Sequence, residues 1–433
     1  MPPQARAYGF GNHPRGGTSG GYGFRCAAEI VDGMTESTVS VPGGHTGVAP
    51  ASTGGVASRL ATLDVLRGIA ILGTLGTNIW ILANPEGMIG YLHDVDRSAH
   101  GWIWVERVLQ QLVQGKFLGL LTIMFGIGLA IQQNSARRAG RRWPGSYPWR
   151  AGLLLLDGLL NFLFVAEFDV LMGYAVTGLV VAFVLAKSER AQRRWLTCAA
   201  GVHVAILTVI AAGMILAPQQ SKPAQPLDPN PYADGSFWDL VGFRLAHLGT
   251  FRFEPVFIFA MSIALFLTGA FLYRNGVFRV EGSRIRKRFM AIGFGIALPI
   301  DLLVGVLVGG DAMAFTRYGT APFVSLGILA LVIEFYLRRP RVGFVGRRLT
   351  EVGRTALSCY ILQNLVASIL CYGWGFGLAA RVSDTARVPF TIAIYLVTAA
   401  VIVTGAHLWL RRFERGPVEW VWNVSYRALA RER

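Results

Sequence analysis

Charge is what this chain has least of. Only 15% of its 433 residues are Asp, Glu, Lys or Arg, where a soluble globular domain carries about 25%. With 53% hydrophobic residues and a mean hydropathy of +0.46, that scarcity excludes a water-soluble domain of this length. Cysteine is also scarce. Cys26, Cys198, Cys359 and Cys371 form no CxxC pair and no metal-ligand spacing, so neither a disulfide scaffold nor a metal site is expected. The last three lie in apolar stretches, where a small buried thiol is the expected state. The sequence has no P-loop, no GxGxxG after a strand, no HExxH and no evident repeat. Any chemistry must therefore sit among helices.

Residues 1–57 hold 13 glycines and no apolar run, too little apolar surface to offset the entropy of ordering, so a disordered tail is expected there. It lacks the apolar core of a cleavable signal peptide. Met34 offers an alternative start, which would make residues 1–33 dispensable. From Leu63 onward, runs near the roughly 20 residues of a spanning helix recur. Ten are expected, near 64–83, 113–133, 150–166, 169–186, 195–217, 254–273, 289–309, 315–337, 356–378 and 389–410. The third and fourth form a tight hairpin. The long connection 218–252 is proline-rich, with one amphipathic piece around Phe237–His247.

The 41 Lys and Arg test this count. Segments 134–150, 187–194, 274–288, 338–354 and 411–433 carry 27 of them, and the five alternating segments carry 8. By the positive-inside rule the basic segments are cytoplasmic. The fold expected is all-α: a polytopic membrane protein with about ten transmembrane helices over 58–412 and both termini cytoplasmic. Residues 413–433, opened by Pro417 and carrying Trp420 and Trp422, read as an amphipathic helix on the cytoplasmic face. A multi-pass protein of the plasma membrane follows. The net charge of +16 then reflects topology and anionic lipid, with the bilayer as partner and no nucleic acid.

Ionisable residues inside the bilayer each need a reason. The first helix carries Asp64 and Arg67, three residues apart and able to pair. Asn78 lies about 16 Å further along nearly the same face, with Thr74 between. The stripe reads either as an entrance ion pair plus an interhelical Asn, or as the wall of an internal site. His93, Asp94, Asp96 and His100 follow in a loop, where a histidine near a carboxylate can act as a general base. Lys116 opens the second helix and either snorkels or faces a cavity. Glu167 and Asp169 flank the hairpin, as a solvated acidic turn or a proton shuttle. Asp157, His203, Asp301, Glu334 and His407 read as packing contacts.

The pieces LDVLRGIAILG (63–73) with Asn78, GKFLGLLTIMFGIGLA (115–130), FDVLMGYAVTGL (168–179), GRTALSCYILQ (353–363) and RFERGPVEWVW (412–422) occur in one order. Together they resemble the YeiB family of bacterial membrane proteins, grouped under domain of unknown function 418. Phe168 stands where that family usually has Gly, and Cys359 where it has Asn. The first helix is also similar to heparan-α-glucosaminide N-acetyltransferase and its transmembrane acyltransferase relatives, at Asp64, Arg67, Gly68 and Asn78. There a catalytic His follows the Asn by eleven residues; here that offset falls on Ile89, and His93 or His100 is the substitute.

The resemblance implies an acyltransferase that takes acyl-CoA at the cytosolic end as donor, its phosphates drawn by Arg-rich loops. The acceptor would be a hydroxyl or amine on a sugar, lipid or cell-wall component, a small molecule or a glycolipid. Asn78 would stabilise the oxyanion, and His93, His100 or Asp169 would take the proton. Asp64, Arg67, Lys116, Arg354 and Gln363 would hold the donor. A homodimer is compatible with this reading. The competing reading is a proton-coupled permease or exporter of a small anion or lipid precursor, and a third is a non-catalytic membrane scaffold.

Overall fold

The computed structural model describes residues 54–94, 101–216, 226–339 and 342–431. Asp96, His100 and most of the expected N-terminal tail lie outside them. Every regular element among the described residues is helical. In chain order the main helices are α1 (Gly54–Leu82), α2 (Gly87–Asp94), α3 (Ile103–Val113), α4 (Lys116–Arg138), α5 (Tyr147–Phe164) and α6 (Leu171–Leu185). There follow α7 (Glu189–Leu216), α8 (Phe237–Ala246), α9 (Leu248–Phe257), α10 (Phe259–Arg274), α11 (Ser283–Ile292) and α12 (Leu298–Leu307). The chain ends with α13 (Ala321–Arg338), α14 (Phe344–Arg354), α15 (Ala356–Cys371), α16 (Arg387–Leu410) and α17 (Pro417–Arg431). Six helices are long and apolar enough to cross a bilayer, or eight if two bent pairs each count as one span. The protein is an all-α polytopic membrane protein.

The helix ends correct several expectations. α1 starts at Gly54, inside the expected tail. The second run is α4, which starts at Lys116 behind a further helix, α3, that the expected run did not include; between them Gly115 adopts φ +74° against the backbone of Arg317, where no side chain fits. The sixth run begins earlier, at α9, and bends 43° into α10 after Pro255, which cannot donate a helical hydrogen bond. The ninth ends at Cys371, where Tyr372 turns extended ahead of Gly373, Gly375 and Gly377. A 90° bend separates α14 from α15. The expected amphipathic piece of the long connection is α8, closed by a capping box in which the Ser236 side chain and Asp239 satisfy each other's backbone N–H. The Ser236 hydroxyl and N–H hold the Asp239 carboxyl below the ordinary carboxylate range.

Depth in the bundle follows glycine placement. α1 has 72% of its apolar window buried, whereas α7 has 11% and the α16 segment 28%. At the crossing of α1 and α14, a Cβ on Gly68 would strike the Leu349 carbonyl, and one on Gly353 would strike the Asp64 carbonyl. α4 and α10 repeat the device, Gly126 against the Phe266 backbone and Gly269 against Ile123. Such contacts suit helices in lipid, where close backbone packing replaces the hydrophobic drive. Cys359 and Cys371 are buried as expected. Cys198 is exposed on peripheral α7, where an apolar outer face needs no protein cover.

Candidate functional site

The stripe on α1 borders two cavities. Near its start, Arg67 is paired with Asp64 at 2.8 Å and lines a cavity of about 400 Å³ with Arg150, Arg354, Gln132, Glu419 and Trp422. We call this the arginine cavity. Two turns further, Thr74, Thr77 and Asn78 line a second cavity of about 290 Å³ with Tyr91, Glu254 and Arg317, the asparagine cavity. Tyr360 of α15 lines both. It is buried, and its hydroxyl accepts from the Val170 N–H at 3.4 Å. Both volumes fall near the range of small-molecule sites.

The arginine cavity is closed on one side by the C-terminal helix. The Glu419 carboxylate accepts from the N–H groups of Leu357 and Ser358 at 2.7 and 3.1 Å and from the Ser358 hydroxyl. An acceptor there satisfies orphan donors at the start of α15. Arg354 donates to the Glu414 carbonyl at 2.9 Å. Arg150 donates to Gln132 at 2.7 Å and lies over the rings of Trp422 and Tyr426, at 5.4 and 4.4 Å from their centroids. Its Nε is buried without a partner. Three guanidinium groups against Glu419 and the Asp64 paired with Arg67 leave this wall net positive and suited to an anion.

The asparagine cavity is organised by a charged network that the sequence did not reveal. Glu254 Oε1 accepts from Arg317 Nη2 and Nε at 2.8 and 3.1 Å and from the Tyr318 hydroxyl at 2.7 Å. Arg317 also donates to Gln114 Oε1 at 3.0 Å, and Gln114 donates to the Tyr91 hydroxyl at 3.3 Å. All three bonds to Glu254 converge on one oxygen, which leaves Oε2 for the cavity. Asn78 donates to Asn364 Oδ1 at 3.3 Å. A smaller void of about 20 Å³ adjoins, lined by Asp169, Arg252 and Glu254, room for about one water.

The expected site residues are dispersed. Asn78 lines the asparagine cavity, Arg67 and Arg354 the arginine cavity, and Asp169 the small void. Asp169 is buried and accepts from Asn161 at 2.9 Å and the Met172 N–H at 3.0 Å. Glu167, equally buried, is paired with Arg244 of α8 at 3.2 Å and accepts from the Tyr232 hydroxyl at 3.0 Å. The two hairpin acids are thus neither solvated nor each other's partner, because the long connection folds back to supply a cation. Lys116 is buried in an ion pair with Asp301, which also accepts from Gln111 at 2.7 Å and Thr320 at 2.6 Å. It neither snorkels nor lines either cavity. Gln363 is fully buried with neither amide atom bonded among the described residues. His93 is exposed at the end of α2 and is not a wall residue of the asparagine cavity. His203 and His407 are packing contacts, to the Tyr318 carbonyl at 2.9 Å and Glu351 at 3.3 Å. No three His, Cys, Asp or Glu among the described residues converge as metal ligands.

Arg252, Glu254 and Arg317 escaped the sequence reading. The available signal was that each stands at the head of an apolar run, where a charge is costly without a partner.

A family model described as a protein of unknown function (DUF418) matches residues 272–428. The chain is 28% identical over 398 residues to the uncharacterized protein YxaH of Bacillus subtilis strain 168, covering 85% of this chain and 94% of that one. It is 29% identical over 386 residues to the uncharacterized protein YeiB of Escherichia coli K12, covering 84% and 95%. The model match takes in the bent α14–α15 pair and the Glu419 cap, and the relatives extend the likeness over most of the chain, which together support a YeiB/DUF418 family assignment.

Proposed function

We propose that the protein is a plasma-membrane acyltransferase that passes an acyl group from cytosolic acyl-CoA to a hydroxyl or amine acceptor. The observation that carries the reading is Tyr360, the shared wall of an arginine-lined cavity and a hydrogen-bonding cavity further along α1. With the basic segments cytoplasmic, as the positive-inside rule has them, the arginine cavity opens to the cytosol. Arg67, Arg150 and Arg354 attract the donor's phosphates there. The thioester reaches toward Tyr360, and the acceptor waits beside Asn78 and Glu254.

The acceptor oxygen or nitrogen attacks the thioester carbonyl carbon. Negative charge develops on the carbonyl oxygen, where the Asn78 amide donates a hydrogen bond. The C–S bond breaks, the acceptor's proton passes to the free oxygen of Glu254, and coenzyme A leaves as thiolate to be protonated from solvent. Asp169, behind the water-sized void, is the next proton site.

Purified protein in nanodiscs is given radiolabelled acetyl-CoA, and CoA release is measured with hydroxyl and amine acceptors. Asn78→Ala and Glu254→Gln should each lower turnover by about 10²-fold, the scale of one oxyanion donor or one general base. The absence of release, together with uptake into liposomes driven by a pH gradient, would replace this reading with a proton-coupled permease. A permease would use the same two cavities, with Tyr360 as the constriction between them.

A further inference from the structure

We propose that the asparagine cavity is entered sideways from the bilayer and holds the neutral, hydroxylated head of a membrane lipid. That this lipid is the acceptor rests on the acyl-transfer reading; that it binds does not.

Two wall residues of the cavity are also outward-facing: Phe253 is 68% exposed and Leu92 49%. A side chain that both lines a void and meets the surroundings marks the place where the void reaches the surface. The adjoining wall is Ile210 of α7 with Phe257 of α9, and α7 is the least covered of the candidate spans. The opening is therefore bordered by apolar side chains on a lipid-facing side of the bundle. A free sugar gains nothing at such a rim, whereas an alkyl tail stays in contact with apolar surface throughout.

The inner end has the opposite character. Asn78, Tyr91, Tyr360 and the Glu254–Arg317 pair gather there. The one carboxylate and one guanidinium already neutralise each other, so a charged head finds no uncompensated partner. Oε2 of Glu254 accepts from a hydroxyl without breaking the existing bonds. A volume of about 290 Å³ lies at the lower end of the small-molecule range, room for one sugar or a glycerol head.

The test uses full-length protein in phosphatidylethanolamine nanodiscs. Decyl glucoside with a diazirine on its tail is photolysed in place, without acyl-CoA, and labelled peptides are mapped by mass spectrometry. Label should concentrate on residues 250–257 and Ile210. Ile210→Trp and Ala314→Trp, two substitutions that fill the wall from different elements, should each lower it about tenfold. Val401→Trp, on the outer face of α16, should leave it unchanged. Label spread evenly over α7 and α16, or unaffected by both filling variants in protein that retains its thermal midpoint, overturns the proposal. Labelling as expected from a protein that never releases CoA would keep the lipid site and discard acyl transfer. CoA release with free glucose and no focused label would do the reverse.

Discussion

At the scale of single residues, a charge inside the bundle is legible as a cost, but its purpose is not. Lys116 and Arg317 look alike in sequence, each a cation beside an apolar run. One is sealed against Asp301 and the other borders a cavity. The difference lies in partners 185 and 63 residues away along the chain, which no local pattern encodes. The Lys116 environment yields a prediction of stability, not activity. Lys116→Met leaves Asp301 buried without its cation and should cost about 3–5 kcal/mol, read as a lowered thermal midpoint in detergent. Adding Asp301→Asn removes the orphaned charge, while the new amide keeps its oxygen for the Gln111 donor and offers an N–H to the Thr320 hydroxyl, which still donates to the Thr316 carbonyl, so the double variant should recover most of the loss. A double variant no better than Lys116→Met alone would mean that Lys116 does something other than neutralise Asp301.

At the scale of elements, the runs expected from hydropathy each have a helical counterpart, because apolar length is the strongest signal a membrane sequence carries. The breaks within them are less legible. Gly115 and Ile258 fall inside runs that read as continuous, and the 90° bend at Thr355 precedes the ninth run without a signal in hydropathy. The α1–α14 crossing is the sharpest case. LDVLRG and GRTALS stand nearly 300 residues apart, and the structure sets Gly353 against the Asp64 backbone and Gly68 against the Leu349 backbone. Gly353→Ala should therefore separate α14 from α1 and distort the arginine cavity between them. Gly201→Ala on the outer face of α7 meets nothing within 4 Å and should stabilise by about 0.4–1 kcal/mol through lost unfolded-state freedom. Comparing thermal midpoints of the two variants tests whether backbone contact, not glycine's flexibility, is what the motif requires. Equal midpoints would show that α14 yields without cost.

At the scale of the whole molecule, the charge distribution and the cavities make one joint statement about orientation. The basic segments lie at the ends of α4, α7, α10, α13 and α16, and the cavity with three arginines lies among the same ends. The hydrogen-bonding cavity lies toward the connections poor in Lys and Arg. If the donor is cytosolic, its cavity must be on the positive-inside side, so topology and mechanism stand or fall together. Ser188 and Ser383 are both exposed, the first in a basic segment after four expected spans and the second between the ninth and tenth. In intact cells an impermeant maleimide should label Ser383→Cys, and should label Ser188→Cys only after permeabilisation, each measured against the parent's own cysteines. Labelling of both from outside would make the number of spans between them even, where five are expected, and would break the alternation of charge. Labelling of Ser188→Cys alone would invert the protein. The arginines would then face away from the cytosolic pool of acyl-CoA, and the cavity they line would need another ligand.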